Sequence, residues 1–172
     1  GEKASYSEYG TNMKVVGEFF KLSTGAAAVD VPYKAAADVL NDFASGALDY
    51  GIFDPQAAIA HAQAGRIRML AASTAKRTKA MPDLPTIAES GLPGFESYTW
   101  LTLSGPAGMS RDVVRVLNAA IEKCVRSPEF GVLLANQSTD PMLMTPEQTA
   151  AYIREEVVKW KKVITAAGVK GE

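Results

Sequence analysis

"VDVPYKAAADVLNDF", residues 29–43, is the stretch that decides the fold. Val29 and Val31 are β-branched and suit an extended strand. The run meets Pro32, which biases the residue before it toward extended backbone. Three alanines follow at 35–37, and then Val39, Leu40 and Phe43 share one face at helical spacing before Gly46. The pattern is a strand that feeds directly into a helix start. Tyr33 and Lys34 stand at the junction, and the small alanines leave backbone N–H groups accessible there.

The same unit recurs on both sides. "KASYS" (3–7) is a strand candidate, followed by a helical run at 11–25 with Thr11 or Asn12 as its N-cap and Gly25 past its end. "AAVDV" (27–31) is the strand of the opening stretch, and its helix covers 34–46. "ALDYGIF" (47–53) is the next strand. Its helix, 54–65, has Asp54 at the N-cap and Pro55 at the first helical position. "RIRMLAAS" (66–73) reads as a further strand. Such alternation predicts an α/β lobe of three layers, with a largely parallel sheet between helices.

Beyond residue 74 the pattern changes. Residues 74–95 are a proline-rich loop with one short helix at 86–90, and 95–104 is a long extended candidate. The last third is helical. Ser110 caps "RDVVRVLNAAIEKCVRS", a short helix starts at Ser127, and Thr145–Gln148 has the form of a capping box with Pro146 at the first helical position. Tyr152, Val157, Trp160 and Ile164 form the expected buried stripe of that last helix. The boundary between the two parts falls near residues 96–105, where composition and pattern both switch.

Composition narrows the function classes. The chain has 172 residues, 47% hydrophobic and 22% charged, with a formal net charge of −1. That balance lacks the positive field of a nucleic-acid binder. No apolar run approaches the ~18 residues of a membrane helix. The lone cysteine, Cys124, lies in an apolar-periodic run and is expected to be a buried structural thiol. No cysteine pair is present to hold a metal. His61, the only histidine, sits in an alanine-rich helix, and no nucleophile, metal or nucleotide motif accompanies it. No catalytic residue, metal or cofactor is therefore expected. The basic cluster Lys76, Arg77 and Lys79 reads as a solvated loop.

What remains is three strand-to-helix junctions, at 6–12, 31–38 and 51–56. In a parallel sheet all three lie along the strands' C-terminal edge. Each presents a helix N-terminus, which favours an anion. Ser7, Thr11 and Asn12 add hydroxyl and amide groups, and Tyr33 and Lys34 add a phenol and a cation. Asp54 has a sufficient role as a helix cap; it also stands where a ligand's ammonium or hydroxyl group would lie.

"VPYKAAADVLNDFASGALDYGIFD" (31–54), "AGRIRMLAASTAKRTKAMPDLPTIAESGLPGFE" (64–96), "PAGMSRDVVRVLNAAIEKCVRSPEF" (106–130) and "TPEQTAAYIREEVVKWKKVITAAG" (145–168) together resemble one family in order and spacing. It is the Bug family, the substrate-binding receptors of tripartite tricarboxylate transporters. The resemblance spans essentially the whole chain. It implies a type II periplasmic-binding-protein fold of the Venus-flytrap kind, and a periplasmic, non-enzymatic receptor for small carboxylates that serves membrane transporter subunits. It further implies that residues 1–97 form the second lobe, and that 98–172 contribute a crossover strand and helices to a first lobe whose N-terminal portion is absent. Uncovered helices of that segment would favour a homodimer. By position the resemblance implies ligand contacts from Ser7, Gly10, Thr11 and Asn12, from Tyr33, Lys34, Ala35 and Ala36, and from Asp54. The family favours glycine where Ala35 and Ala36 stand, a longer first loop, and often histidine at the position of Lys14. A ligand-sensing effector domain of a regulatory protein is the competing reading, and an enzyme on a two-lobed fold is the third.

Overall fold

The structure is a computed structural model that describes residues 4–169. Three parallel strands form its sheet: β1 (Ala4–Tyr9), β2 (Ala28–Tyr33) and β3 (Tyr50–Gly51), in the order β2-β1-β3. Helices α1 (Gly10–Thr24), α2 (Ala36–Ser45) and α3 (Pro55–Gln63) each follow a strand directly. β1 is central, pairing through Ser7 with Val31 on one side and Gly51 on the other. The chain steps one way from β1 to β2 and then back across β1 to β3. With right-handed crossovers, that reversal places α1 and α2 on opposite faces. This is the α/β lobe expected from the alternation, although its third strand is only two residues long.

Helices α4 (Arg111–Val125), α5 (Pro128–Asn136) and α6 (Pro146–Ala167) complete the chain. The expected caps are formed. Ser110 and Ser127 accept from Val113 N and Phe130 N, and Thr145 with Gln148 makes the reciprocal capping box.

Packing centres on β1 and α1. Tyr6 is 1% exposed, and its hydroxyl donates to the Met13 carbonyl at 2.8 Å. Gly17 lies flat against that ring, so that a Cβ there would sit 2.2 Å from the phenol carbon. One helical face further on, Phe19 stacks on Phe95 with centroids 4.6 Å apart and meets Trp160 of α6 edge-on at 5.7 Å. Phe20 meets Phe95 edge-on at 6.1 Å and Tyr50 of β3 at 5.9 Å. α6 is thus held to the sheet through α1.

Several expectations are corrected. Residues 66–73 form no strand. Ala72 makes one isolated bridge to Thr86, and Leu70 is 65% exposed, because no neighbouring strand offers a ladder. Residues 95–104 likewise form no strand: Ser97 N donates to Ser73 O at 2.8 Å, and the pairing stops there. Residues 86–90 make a single turn, in which Thr86 and Glu89 cap each other and Arg77 grips Glu89 at 3.0 Å. Helix α1 starts at Gly10 with Tyr9 at its N-cap, before Thr11 and Asn12, and α2 starts at Ala36 with Ala35 at its N-cap.

The buried face of α6 is also shifted. Val157 and Ile164 are exposed, whereas Glu156 and Val163 are buried and Tyr152 and Trp160 are partly buried. The face is set by what α6 meets, which is Phe19 and Trp100, and both indoles call for a polar partner rather than an aliphatic one. Cys124 is exposed, contrary to expectation. It shares an α4 face with Val113, Leu117 and Ile121 at helical spacing. No residue of α4 is buried among the described residues, so Val113, Leu117 and the thiol stay in solvent while Ile121 is half-buried.

Gly17→Ala tests the contact of α1 with Tyr6. Helix propensity alone favours alanine by about 1 kcal/mol. The buried phenol ring cannot move away, so overpacking, typically about 1–3 kcal/mol, decides the sign. The urea midpoint is expected to fall. A second prediction concerns acid. Burial pushes the Glu156 carboxyl up, but its bonds to Lys159 and Trp160 outweigh this and hold it below its usual value. The stability it contributes is full above the unfolded-state pKa, about 4.3, and is lost as pH falls through the lower folded value. Urea midpoints measured from neutral pH into acid should therefore decline less steeply for Glu156→Gln than for the parent.

Candidate functional site

All three strands run parallel and each ends in a helix, so the three junctions meet along one edge. β1 ends at Tyr9, β2 at Tyr33 and β3 at Gly51, with the β1 junction in the middle. The structure therefore gathers the first-junction residues Ser7, Gly10, Thr11 and Asn12, the second-junction residues Tyr33, Lys34, Ala35 and Ala36, and Asp54 on one side of the sheet.

The helix starts at this edge differ from those elsewhere in the fold. None of α1, α2 and α3 has a side-chain hydrogen bond at its N-cap. Each of α4, α5 and α6 has one. The first N–H groups of a helix have no intrahelical partner, and the helix dipole adds positive potential around them. Three such ends lie together at the sheet edge without a side chain to quench them.

At the first junction Ser7 is fully buried and its hydroxyl has no partner. Opposite it, Gly51 leaves the space, since a Cβ there would fall 2.1 Å from Ser7 Oγ. Gly10 has φ of 66°, a left-handed conformation that glycine adopts at low cost, and this lets β1 turn straight into α1. Gly10, Thr11 and Asn12 are exposed. Lys14 pairs with Glu8 at 2.8 Å, which raises the pKa of the lysine. A polar cavity of about 580 Å³ adjoins this junction, with Gly10, Thr11 and Tyr33 among its walls beside Lys14 and the acidic Glu8, Glu18 and Asp30.

Tyr33 is less free than its position promises. Its hydroxyl donates to Asp42 Oδ2 at 2.6 Å, a bond that raises its pKa and commits the phenol to α2. Lys34 is exposed and makes no ion pair among the described residues. Ala35 is extended at φ −144°, ψ 149°, and Ala36 begins the helix. Alanine adopts both conformations without strain, so this backbone has no need of glycine here.

Asp54 holds the expected N-cap position of α3, but its side chain makes no cap hydrogen bond. The cap is provided by its carbonyl, which accepts from Ala57 N and Ala58 N at 3.0 and 3.3 Å. The carboxylate is left exposed at the edge. His61 lies in the last turn of α3, about 10 Å along the helix from Asp54, and so at the far end from the edge.

Sequence reasoning missed Tyr9. Its hydroxyl is buried without a partner, and its ring stacks on Phe53 at 5.5 Å. Burial foremost, then the Asp54 charge, push its pKa up and keep the phenol neutral. The signal was available: an aromatic residue directly before the glycine of a strand-to-helix turn. No group of three or more His, Cys, Asp or Glu able to hold a metal occurs among the described residues. No helix among them is long and apolar enough to cross a membrane.

Comparison with known proteins places this geometry. The model of the "Tripartite tricarboxylate transporter family receptor" matches residues 2–169. Protein BugT of Bordetella pertussis is 30% identical over 161 residues, which cover 94% of this chain and 49% of BugT. A protein of R. palustris solved with adipate is 33% identical, with a TM-score of 0.75 over 97% of this chain and 56% of its own. A TctC solute binding protein from Polaromonas has a TM-score of 0.84 over 95% of this chain and 57% of its own, and at 20% identity it bears on the fold alone. The chain thus spans about half the length of the curated relative and little more of the solved ones.

Ser7→Ala separates folding from binding. A buried hydroxyl without a partner carries a desolvation cost of about 1–3 kcal/mol. Removing it is expected to leave the thermal midpoint unchanged or raise it, and any anion held at the edge through this hydroxyl would then bind more weakly. Midpoints by circular dichroism and amide shifts on titration measure the two effects separately.

Proposed function

The chain belongs to the tripartite tricarboxylate transporter receptor family, and from that membership and the sheet edge we propose that it is the carboxylate-binding lobe of an extracytoplasmic solute receptor. The observation that carries this reading is the set of three uncapped helix N-termini meeting at one edge, while the helices away from the edge are all capped. A carboxylate is the natural ligand of such an edge, because it accepts several N–H bonds and is favoured by the dipoles.

The proposed roles follow from position. One ligand carboxylate takes N–H groups at the start of α1, with the Thr11 hydroxyl and the Asn12 amide beside them and the Ser7 hydroxyl beneath. The start of α2, from Ala35 and Ala36, gives further N–H groups, and Lys34 adds a mobile positive charge. Asp54 faces a hydroxyl or ammonium group of the ligand and repels a second carboxylate from its own corner. Tyr33 acts as a wall, since its hydroxyl is engaged by Asp42. The adipate in the R. palustris relative, a six-carbon dicarboxylate, supports this ligand class.

In this reading the chain is residues 1–97 of one lobe plus helices that belong to a second, and further polypeptide supplies the opposing contacts. Closure of the two lobes buries the ligand, and a membrane transporter receives it in the periplasm. The role is receptor and not enzyme, in keeping with the family.

Titration of the labelled chain with dicarboxylates and tricarboxylates, followed by amide shifts, tests the reading. Weak binding, roughly millimolar, is expected, with the largest shifts at residues 10–12 and 36–38. Lys34→Gln should weaken it roughly threefold, as for an exposed charge. Shifts confined to other surfaces would overturn the site, and nanomolar binding by this chain alone would overturn the need for an opposing lobe.

A further inference from the structure

The chain has two tryptophans, and both indole N–H groups point at one carboxylate. Glu156 of α6 is 7% exposed; Trp160 Nε1 donates to its Oε2 at 2.8 Å, and Trp100 Nε1 lies 3.5 Å from the same oxygen. Lys159 pairs with Glu156 and extends its Nζ to within 3.4 Å of the Glu96 carbonyl. One turn earlier, Tyr152 meets the Trp100 ring edge-on at 5.9 Å. Tyr152, Glu156 and Lys159 are spaced so that they share one helix face, and that face lies along residues 96–100.

The other side of this segment is held by the sheet body. Phe95 is 3% exposed on Phe19, and Ser97, 4% exposed, donates to Ser73 O at 2.8 Å. One residue past Trp100 the restraint ends, since Leu101 is 96% exposed and Leu103 70%. From there the chain enters α4 and α5, in which no described residue is buried. Packed backbone therefore gives way to exposed backbone at residues 100–101, and beyond it the arm touches the rest of the fold only lightly: α4 meets α6, Asn118 Nδ2 donates to the Met144 carbonyl at 3.1 Å, and Gln56 Nε2 of α3 lies 3.4 Å from the Gln137 carbonyl.

We propose that Glu156 is a positioning residue whose carboxylate, shared by the two indoles and Lys159, fixes the pivot between the α/β body and the α4–α5 arm at residues 100–101. Packing alone does not require a carboxylate at this place. A buried charge is commonly replaced by an apolar residue of similar size with no loss of stability, whereas its removal leaves its partners unpaired. Here the unpaired groups would be an indole on α6 and an indole on the connecting segment, and water entering to solvate them would part the two. The inference goes beyond the receptor reading and needs no ligand; in that reading the same pivot carries closure.

The test uses the exposed, single Cys124 on α4 as one spin label and Asn41→Cys, an exposed position on α2, as the second. Electron–electron distance distributions are compared in this background for the parent, Glu156→Gln and Glu156→Met. Glu156→Gln keeps an acceptor for Trp160 and is expected to stay near the parent. Glu156→Met fills the space without accepting, and is expected to broaden the distribution roughly twofold or shift its mean by several ångströms, as for a released hinge. Hydrogen exchange at the Ser97 amide checks that the body of each variant is folded. If Glu156→Met does not fold, Trp100→Phe removes only the donor on the connecting segment and is expected to broaden the distribution in the same way. Distributions for the folded variants that superimpose on the parent would show that the cluster is packing alone, and would overturn the proposal.

Discussion

The stack of Phe19 on Phe95 is the contact on which the rest of the structure depends. Phe19 lies on the first helix after the central strand, and Phe95 begins the segment that leads from the sheet body to α4. Trp160 closes on the same ring from the last helix. Without that aromatic seam, α6 would keep its own caps but lose the contact of Trp160 with α1. The seam also requires α1 to approach β1 closely, and Gly17 permits this by leaving room for the Tyr6 ring. One small residue and four large rings thus set the height of α1 over the sheet. They thereby set where its N-terminus, the middle of the candidate site, comes to lie.

The edge that carries the site is an electrostatic compromise. Three uncapped helix starts draw negative charge, yet Glu8, Asp38 and Asp54 already stand beside them. Two of these carboxylates have identifiable constraints: Glu8 is tied to Lys14, and Asp54 leaves the capping to its own carbonyl. Lys34 is the exposed cation of the edge that has no ion pair among the described residues. The arrangement selects by position rather than by total charge. A ligand carboxylate fits over the centre of the edge and is disfavoured at the β3 corner, so the shape and length of the ligand matter as much as its charge.

What was legible in the sequence was local. The alternation of strand and helix, the glycine ends and the caps at Ser110, Ser127 and Thr145 depend on residues within one turn of each other, and all appear in the structure. The gathering of the three junctions followed from parallel topology alone. What failed depended on partners far away in the chain. Residues 66–73 alternate well, with Ile67 and Met69 turned inward, but a strand also needs a neighbour, and only Thr86 offers one hydrogen-bonded bridge. Val157 and Ile164 have the right period for a buried face, yet the face was claimed by Glu156, a residue that hydrophobic pattern assigns to solvent. Cys124 failed for the same reason from the other side, because its stripe is periodic but uncovered. Tyr33 was placed correctly and given the wrong freedom, since its bond to Asp42, nine residues on, belongs to the tertiary structure.

The seam between Phe19 and Trp160 has a kinetic consequence. Bringing these rings together closes a loop of roughly 140 residues, and the chain entropy for that is about 4 kcal/mol before any contact is gained. The strand-to-helix units of the first 63 residues close far shorter loops. Folding should therefore proceed from the edge outward, with the three helix starts in register before α6 arrives. The last helix then acts as a late clamp, one that turns an already shaped binding edge into a fixed one.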